Sequence, residues 1–167
     1  FSNHPQNILD IGSGSGIIAL MLAQRSDVMQ IDAVEIDESA YEQCVENFEN
    51  SDWSDRLFCY HASFQEFVAE MHEDEESYDL IVSNPPFFTT ANEISTSREK
   101  ARFNSALPFE DLVEGVDLLL SENGVFSIVL PFESESDFIL LANQFQLFPF
   151  KITRVKGNPN SPFKRSL

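Results

Sequence analysis

Apolar and polar residues alternate along this chain in blocks that predict strands and helices in regular succession. Short apolar runs bounded by turn residues indicate buried strands, whereas longer runs with apolar residues three or four apart indicate helices. The predicted strands span about residues 7–11, 30–36, 57–62, 78–83, 124–131 and 148–156. The predicted helices span about residues 15–25, 38–49, 64–73, 108–120 and 133–145. This alternation favours an α/β fold with a mostly parallel, twisted sheet covered by helices on both faces.

Two boundaries and one long gap refine these predictions. Pro108 is placed at an early helical position, and Gly124 is predicted to close that helix before the next strand. The segment between Phe88 and Leu107 is longer than an ordinary connection. We therefore expect a functional loop there, lying over the active site.

A glycine-rich turn follows the first predicted strand and leads into an apolar helix. Gly12, Gly14 and Gly16 let the backbone approach a ligand, and the helix N-terminus points at it. The dinucleotide-binding pattern requires its third small residue five positions after the first, where this chain has Ile17. The pattern Asp-x-Gly-x-Gly-x-Gly therefore disfavours a pyrophosphate site, and Asp10 is available to receive a cationic group.

Carboxylates end the second predicted strand, about 20 residues after the glycine turn. An acidic side chain at this point is positioned to bind both hydroxyls of a ribose. We assign this role to Glu35 and keep Asp37 as the alternative, because carboxylates at strand ends are common in so acidic a chain.

The sequence Asn84-Pro85-Pro86-Phe87 directly follows the fourth predicted strand. Two consecutive prolines fix φ and remove two backbone donors, so the strand must stop in a stiff corner. This corner offers the Asn84 side-chain oxygen and the Pro85 carbonyl to the two hydrogens of a planar amino group, while Phe87 packs against its face. A plain Pro-Pro turn is the alternative when the motif is taken alone.

Taken in order, these three motifs resemble the class I S-adenosylmethionine-dependent methyltransferases that carry Asn-Pro-Pro-Phe/Tyr and methylate planar nitrogens. The resemblance covers nearly the whole chain and is closest to the bacterial tRNA1(Val) adenine-N6 methyltransferase family. The similarity to that family rests on three further stretches, Asn84-Pro85-Pro86-Phe87-Phe88, Ser95-Thr96-Ser97-Arg98 and Ala101-Arg102-Phe103.

The resemblance implies a Rossmann-like fold that binds S-adenosylmethionine and methylates N6 of an adenine in tRNA. It implies catalytic roles for Asn84, Pro85, Pro86 and Phe87. It implies cofactor contacts for Asp10, Gly12, Gly14, Gly16, Glu35, Ser63, Phe64 and Asn84.

The corner after the third strand departs from the family pattern, because Ser63 stands where the family usually has an aspartate that accepts from the cofactor adenine. The Ser63 hydroxyl can still accept, and Phe64 can supply an apolar face and a backbone N–H. We expect the lost charge to weaken cofactor binding by roughly 1 kcal/mol.

Substrate contacts are assigned to residues within and after the proline motif. Phe87 and Phe88 are expected to stack on a base extruded from folded RNA. Arg98 and Arg102, which share one face if that segment is helical, are expected to grip flanking phosphates. Surface ion pairs with nearby carboxylates are the alternative for both arginines.

The length fits a single methyltransferase domain over residues 1–167, but both ends are short for the family. Only Phe1 to Gln6 precede the glycine strand, and Leu167 lies where a terminal strand should begin between the fifth and sixth strands. We therefore expect a domain trimmed at one or both ends. Its terminal hairpin should be incomplete and poorly ordered.

The formal net charge of −18 opposes nucleic-acid binding unless the basic residues are clustered. Exposed charges are screened beyond about 8 Å at physiological salt, so local patches matter more than the sum. Eight of the ten basic residues lie in two segments, 98–102 and 151–165. These patches keep tRNA as the expected partner.

Several other classes of protein are disfavoured. No apolar run approaches the roughly 20 residues that a membrane-spanning helix needs. Cys44 and Cys59 have neither Cys-x-x-Cys nor metal spacing, and the three histidines are scattered. We therefore expect no membrane partner, no metal site, and free thiols in a reducing cytoplasm.

Other functions remain open beside tRNA methylation. A methyltransferase acting on a glutamine of release factors is one, because Asn-Pro-Pro also suits a carboxamide nitrogen and an acidic enzyme can engage a basic protein. Methylation of guanine N2 in ribosomal RNA is another. Outside enzymes, the chain could be a silent domain that binds S-adenosylmethionine as a partner of an active subunit.

Overall fold

The computed structural model describes residues 5–85 and 107–167, which belong to two compact units. The described residues of the first unit are 5–83 and 118–127. The described residues of the second unit are 84–85, 107–117 and 128–167. The loop predicted between Phe88 and Leu107 lies outside the described residues.

A five-stranded sheet forms the centre of the first unit. Its strands are β1 (Asn7–Ile11), β2 (Gln30–Glu35), β3 (Leu57–His61), β4 (Tyr78–Ser83) and β5 (Leu120–Ile128). The helices that follow β1, β2 and β3 are α1 (Ile17–Arg25), α2 (Glu38–Glu49) and α3 (Phe64–Glu73). The strand order is β3-β2-β1-β4-β5, and β1 runs parallel to both of its neighbours.

The order of the strands creates a topological switch point beside β1. The chain runs outward from β1 through β2 to β3 and then returns to place β4 on the other side of β1. In open α/β sheets, ligands bind outside the carboxyl ends of the strands at such a point. The carboxyl end of β1, where the glycine turn begins, is therefore the expected binding edge.

Helices cover both faces of this sheet. Ile31 and Ala33 of β2 belong to the core that α1 and α2 complete on one face. Asp32 points to the opposite face, because successive side chains of a strand alternate. There it accepts a hydrogen bond from Tyr78, whose ring is 6.5 Å from that of Phe67 in α3. The predicted α/β architecture is confirmed.

The second unit contains helices and a small sheet. Its elements are α4 (Phe109–Leu119), β6 (Leu130–Pro131), a 3-10 turn (Phe132–Ser134), α5 (Glu135–Gln144), β7 (Arg154–Lys156) and β8 (Phe163–Ser166). Within this unit α4 contacts α5 through the rings of Phe109 and Phe138, whose centroids are 5.1 Å apart.

The terminal segment forms a short hairpin, whose two strands span Arg154–Lys156 and Phe163–Ser166. β8 lies between β6 and β7 and pairs antiparallel with both. Buried Glu135 accepts hydrogen bonds from the Arg154 guanidinium and the Ser166 hydroxyl, so one carboxylate ties both strands to α5. These bonds, that of Arg154 first, lower the pKa of Glu135 to about 2.

Several predicted boundaries are corrected. Helix α1 begins at Ile17 rather than residue 15, and Pro108 precedes α4, accepting its first backbone hydrogen bond from Leu112. Gly124 does not end a helix: it lies inside β5, where a side chain would meet the Leu120 side chain and the Ser121 carbonyl. The strand predicted over 148–156 is reduced to Arg154–Lys156.

Helix α3 ends with a side chain in a conformation that favours glycine. Glu75 has φ +60°, its N–H donates to the His72 carbonyl, and the Glu76 N–H donates to the Met71 carbonyl. These two backbone hydrogen bonds form the Schellman motif, in which the residue with left-handed backbone is usually a glycine.

We expect Glu75→Gly to raise the free energy of unfolding by about 0.5–1 kcal/mol, because it removes the left-handed strain of an L-residue. Glu70→Gly is the matched control, since it removes the same charge from an exposed interior position of α3 and should lower stability by about 0.5–1 kcal/mol. Urea unfolding of both variants measures the difference. Equal destabilisation by the two substitutions would contradict the assignment.

Candidate active site

Three glycines of the turn after β1 have left-handed backbone conformations. Their φ angles are +68° at Gly12, +56° at Gly14 and +75° at Gly16, which side-chain-bearing residues rarely adopt. A methyl group added at Gly12 or Gly14 would meet no atom within 4 Å. One added at Gly16 would lie 2.5 Å from Phe48 Cε1 and 2.7 Å from Cys44 Sγ. The first two glycines thus border open space, whereas the third packs against α2.

The Glu35 carboxylate fixes the shape of this turn. One of its oxygens accepts from the Gly14 N–H at 2.8 Å, and the other accepts from the Asp37 N–H at 2.9 Å. Each carboxylate oxygen keeps a further lone pair, so the side chain can still accept from hydroxyl groups of a ligand. Glu35 therefore lies where the sequence predicts a ribose-binding acid.

Asp10 is buried beneath the turn, and one of its two carboxylate oxygens forms a hydrogen bond with the described residues. It is 1% exposed, and its Oδ2 accepts from the Ala19 N–H of α1 at 3.2 Å. Its Oδ1 has no hydrogen-bond partner among the described residues. Burial raises the pKa of Asp10 to about 7, the Ala19 bond opposes this, and the nearby Glu35 charge adds to it. A ligand donor or cation would complete this carboxyl group.

Two further residues that follow the carboxyl ends of strands serve as helix N-caps. Asp37 caps α2 by accepting from the Ala40 N–H at 2.9 Å, which leaves Glu35 as the better candidate for a ribose. Ser63 caps α3: its hydroxyl accepts from the Glu66 N–H at 3.2 Å and donates to Glu66 Oε2 at 2.6 Å. The Ser63 oxygen retains one lone pair, and Phe64 is buried at the start of the helix. Their cofactor contacts stay predictions.

The sequence reasoning missed two contributors to this edge of the sheet. Ile36, between Glu35 and Asp37, is 47% exposed and offers an apolar surface beside the Glu35 carboxylate. An apolar residue between two acids at a strand end was the available signal. Asn47 of α2 donates its amide N–H to the Ser15 carbonyl at 2.9 Å and supports the glycine turn, for which local sequence gave no signal.

The proline motif begins directly after β4. Ser83 pairs with Ile11 at the carboxyl end of β1 and donates its hydroxyl to the Ile11 carbonyl at 3.0 Å. The next residue, Asn84, is exposed, and Pro85 is buried. The remaining predicted residues lie outside the described part of the chain, namely Pro86, Phe87, Phe88, Arg98 and Arg102.

The structure thus gathers the predicted cofactor residues of the first unit at one sheet edge. Asp10 and the glycines follow β1, Glu35 ends β2, and the Ala62 N–H beside Ser63 donates to the Glu35 carbonyl. A sequence profile of the methyltransferase small domain family matches residues 1–147. The chain belongs to this family.

A relative from Flavobacterium psychrophilum supports a finer assignment within the methyltransferases. It is the tRNA1(Val) (adenine(37)-N6)-methyltransferase of that organism, and it is 59% identical over 167 residues, which cover 99% of this chain and 70% of the relative. The resemblance stated from the sequence motifs is confirmed, and the chain belongs to the family of these adenine-N6 methyltransferases.

Solved structures of other methyltransferases share the fold of this methyltransferase chain. A predicted O-methyltransferase from Agrobacterium tumefaciens superposes with a TM-score of 0.69 at 18% identity, covering 96% of this chain and 70% of the other. A methyltransferase solved in complex with SAH superposes with a TM-score of 0.65 at 14% identity, covering 96% and 45%. These identities support the Rossmann-like methyltransferase fold alone.

The described part of the chain gives no sign of a membrane span or a metal centre. In residues 5–85 and 107–167, no helix combines the length and apolar character needed to cross a membrane. The same two stretches hold no group of three or more His, Cys, Asp or Glu side chains that could bind a metal ion.

The two kinds of glycine in the turn should respond differently to the same substitution. We expect Gly16→Ala to lower the free energy of unfolding by about 2–4 kcal/mol, because left-handed strain adds to overpacking against Phe48 and Cys44. Gly12→Ala should cost only about 1–2 kcal/mol, because its strain comes without a clash. Chemical denaturation compares the two, and an equal loss at both positions would contradict the packing described for Gly16.

The buried carboxyl of Asp10 should make stability depend on pH. Because its folded pKa of about 7 exceeds the ordinary value of 3.8, the native state holds a proton that the unfolded state releases. Stability should therefore fall as pH rises from about 4 to about 7. The free energy of unfolding of Asp10→Asn should therefore rise relative to that of the wild type across this pH range, by at most about 4 kcal/mol. Above this range the difference between the two proteins should be constant.

Unfolding of both proteins at pH 5, 6, 7 and 8 measures this gain. Asp79→Asn is the control, because hydrogen bonds, the Gln6 N–H first, lower the pKa of Asp79 and place its titration below this range. Its difference from the wild type should be constant. A constant difference for Asp10→Asn as well would show that Asp10 is ionised in the native state.

Proposed function

We propose that this chain binds S-adenosylmethionine at the β1 switch point and methylates N6 of adenine 37 in a tRNA1(Val). The observation that carries the proposal is the open, left-handed glycine turn beside the Glu35 carboxylate and beside Asp10 Oδ1, which has no hydrogen-bond partner among the described residues. The substrate comes from the name of the relative that is 59% identical over the length of this chain.

The residues at this edge offer the chemical groups that binding of the cofactor would use. The open space next to Gly12 and Gly14 allows a ligand to approach the backbone closely. Asp10 Oδ1 provides a buried acceptor for a cationic amino group, and Glu35 provides acceptors for ribose hydroxyls. Ile36 and Phe64 would contact the faces of the adenine, while the free lone pair of the Ser63 hydroxyl would accept from the adenine amino group.

The chemistry requires little from the protein beyond positioning and charge stabilisation. When bound, S-adenosylmethionine would supply a sulfonium methyl group: the N6 lone pair would attack the methyl carbon in line, the carbon–sulfur bond would break to release the thioether, and the nitrogen would then give a proton to water. Asn84 Oδ1 and the Pro85 carbonyl would accept from the two N6 hydrogens and favour a pyramidal nitrogen. The N6 lone pair then leaves conjugation with the ring and can attack, so no general base is needed before transfer.

The remaining assignments of the site residues extend this proposal. Pro86 would keep the corner stiff, Phe87 and Phe88 would stack on the extruded base, and Arg98 and Arg102 would contact flanking phosphates. A tRNA substrate and the two free thiols, Cys44 and Cys59, support action in the cytoplasm.

The function is tested with labelled S-adenosylmethionine and two substrates in parallel, unmodified total tRNA and release-factor protein. Label recovered as N6-methyladenosine at position 37 of one tRNA is the expected result. Label in protein would instead indicate glutamine methylation, label in guanine would indicate N2 methylation, and cofactor binding without transfer would indicate a silent domain.

The Asn84 assignment is tested by its own substitution. Asn84→Ala should lower kcat by about 100-fold or more, since removing one preorganised polar contact to a reacting group has effects of that order. The dissociation constant for the cofactor should change little, because the turn residues remain. Asn123→Ala is the matched control at an exposed position of β5. Undiminished methyl transfer by Asn84→Ala would refute the assignment.

A further inference from the structure

We propose that the terminal segment, residues 148–167, is a surface that binds the RNA substrate through its phosphates and an unpaired base. The proposal rests on the RNA methyltransferase function proposed above and specifies where the RNA is held. The segment contains five of the ten basic residues of the chain and none of its 28 acidic residues. In so acidic a chain, this segregation concentrates the cationic contacts that nucleic-acid affinity depends on.

Most of these cations are not neutralised by the structure around them. Among the described residues, the ion pair of this segment is that of Arg154 with Glu135. Lys156 donates to the Pro159 carbonyl, and Arg165 donates to the Lys164 carbonyl; neither forms an ion pair with a carboxylate of the described residues. Lys151 and Lys164 are exposed as well. Four positive charges are therefore available to phosphates.

The pairing of the strands separates an anchoring face from a free face. Arg154 and Ser166 are cross-strand partners, and both bind Glu135. Val155 and Arg165 form the next pair, and alternation directs them to the opposite face. The register shifts between Val155 and Lys156, which leaves Lys164 as the extra residue of a bulge. Arg165 and Lys164 thus lie on the hairpin but take no part in the bonds of Arg154 and Ser166 to Glu135.

Exposed aromatic rings accompany the cations. Phe148 is 69% exposed and Phe150 is 80% exposed, on either side of Pro149 and immediately before Lys151. Cations interleaved with exposed rings are typical of surfaces that bind single-stranded nucleic acid, where phosphates meet the cations and bases stack on the rings. An acidic protein surface would satisfy the cations but would leave these rings without a matching partner, so we favour RNA.

The charge arm of the test uses a triple variant, Lys151→Ala/Lys164→Ala/Arg165→Ala. Filter binding of unmodified tRNA1(Val), over a range of salt concentrations, should show weaker binding and a log–log salt slope shallower by about 2, since each lost single-strand contact contributes about 0.7. Arg165→Ala and Arg25→Ala form a matched pair, because both remove one exposed arginine and Arg25 lies in α1 of the first unit. Only Arg165→Ala should reduce the slope.

The aromatic arm compares Phe150→Ala with Phe58→Ala, a half-exposed phenylalanine of β3. Loss of one stacked base should weaken RNA binding by about fivefold or more for Phe150→Ala. Phe58→Ala should leave the affinity within about twofold, which is the level expected without a stacking contact. Circular dichroism and cofactor binding should be unchanged in all variants of the terminal segment, because the substituted side chains are exposed.

The outcomes separate this surface from the proposed function. If the wild type methylates tRNA and the triple variant binds it with wild-type affinity and salt slope, the surface assignment is wrong and the function stands. If the wild type methylates no tRNA but substitutions in the terminal segment still lower RNA affinity while the control substitutions do not, the proposed function is wrong and the surface assignment stands. Should sedimentation show a dimer that the triple variant abolishes while RNA binding persists, the segment contacts a second copy and the proposal is overturned.

Discussion

The carboxylate of Glu35 is the interaction on which the rest of the candidate site depends. Its two oxygens bind the N–H groups of Gly14 and Asp37, which belong to the turns after two adjacent parallel strands. A charged acceptor forms stronger hydrogen bonds than a neutral one, particularly where solvent is partly excluded. This one side chain therefore sets the relative position of the glycine turn and the start of α2, and through the turn it sets the start of α1 above Asp10.

Much of this arrangement could be predicted because its determinants are local. The apolar runs of β1 to β4, the glycine spacing and the acid at the end of β2 are properties of short segments, and parallel pairing then brings their carboxyl ends to one edge. What could not be predicted depends on distant partners. Glu135 binds Arg154 and Ser166, which lie 19 and 31 residues further along the chain, so these contacts have no local signal in the sequence.

Cap chemistry explains another part of the difference between sequence and structure. Asp37 and Ser63 looked equivalent to ligand-binding residues, because a carboxylate or hydroxyl just before a helix suits either role. The structure shows both satisfying helix N–H groups, at Ala40 and Glu66 respectively. Gly124 was misassigned for a related reason, since a glycine can serve a left-handed cap or a close approach, and sequence alone does not distinguish them.

The packing of Gly16 against α2 has an evolutionary consequence. The Phe48 ring and the Cys44 sulfur fill the space that a methyl group at position 16 would need. Substitutions at positions 16, 44 and 48 are therefore not independent. Smaller residues on α2 would relieve the clash but not the left-handed backbone, so no compensating change on α2 fully restores a side chain at position 16. Divergence of this enzyme should therefore leave position 16 invariant, while the side chains that fill its space vary only towards residues that close the same gap.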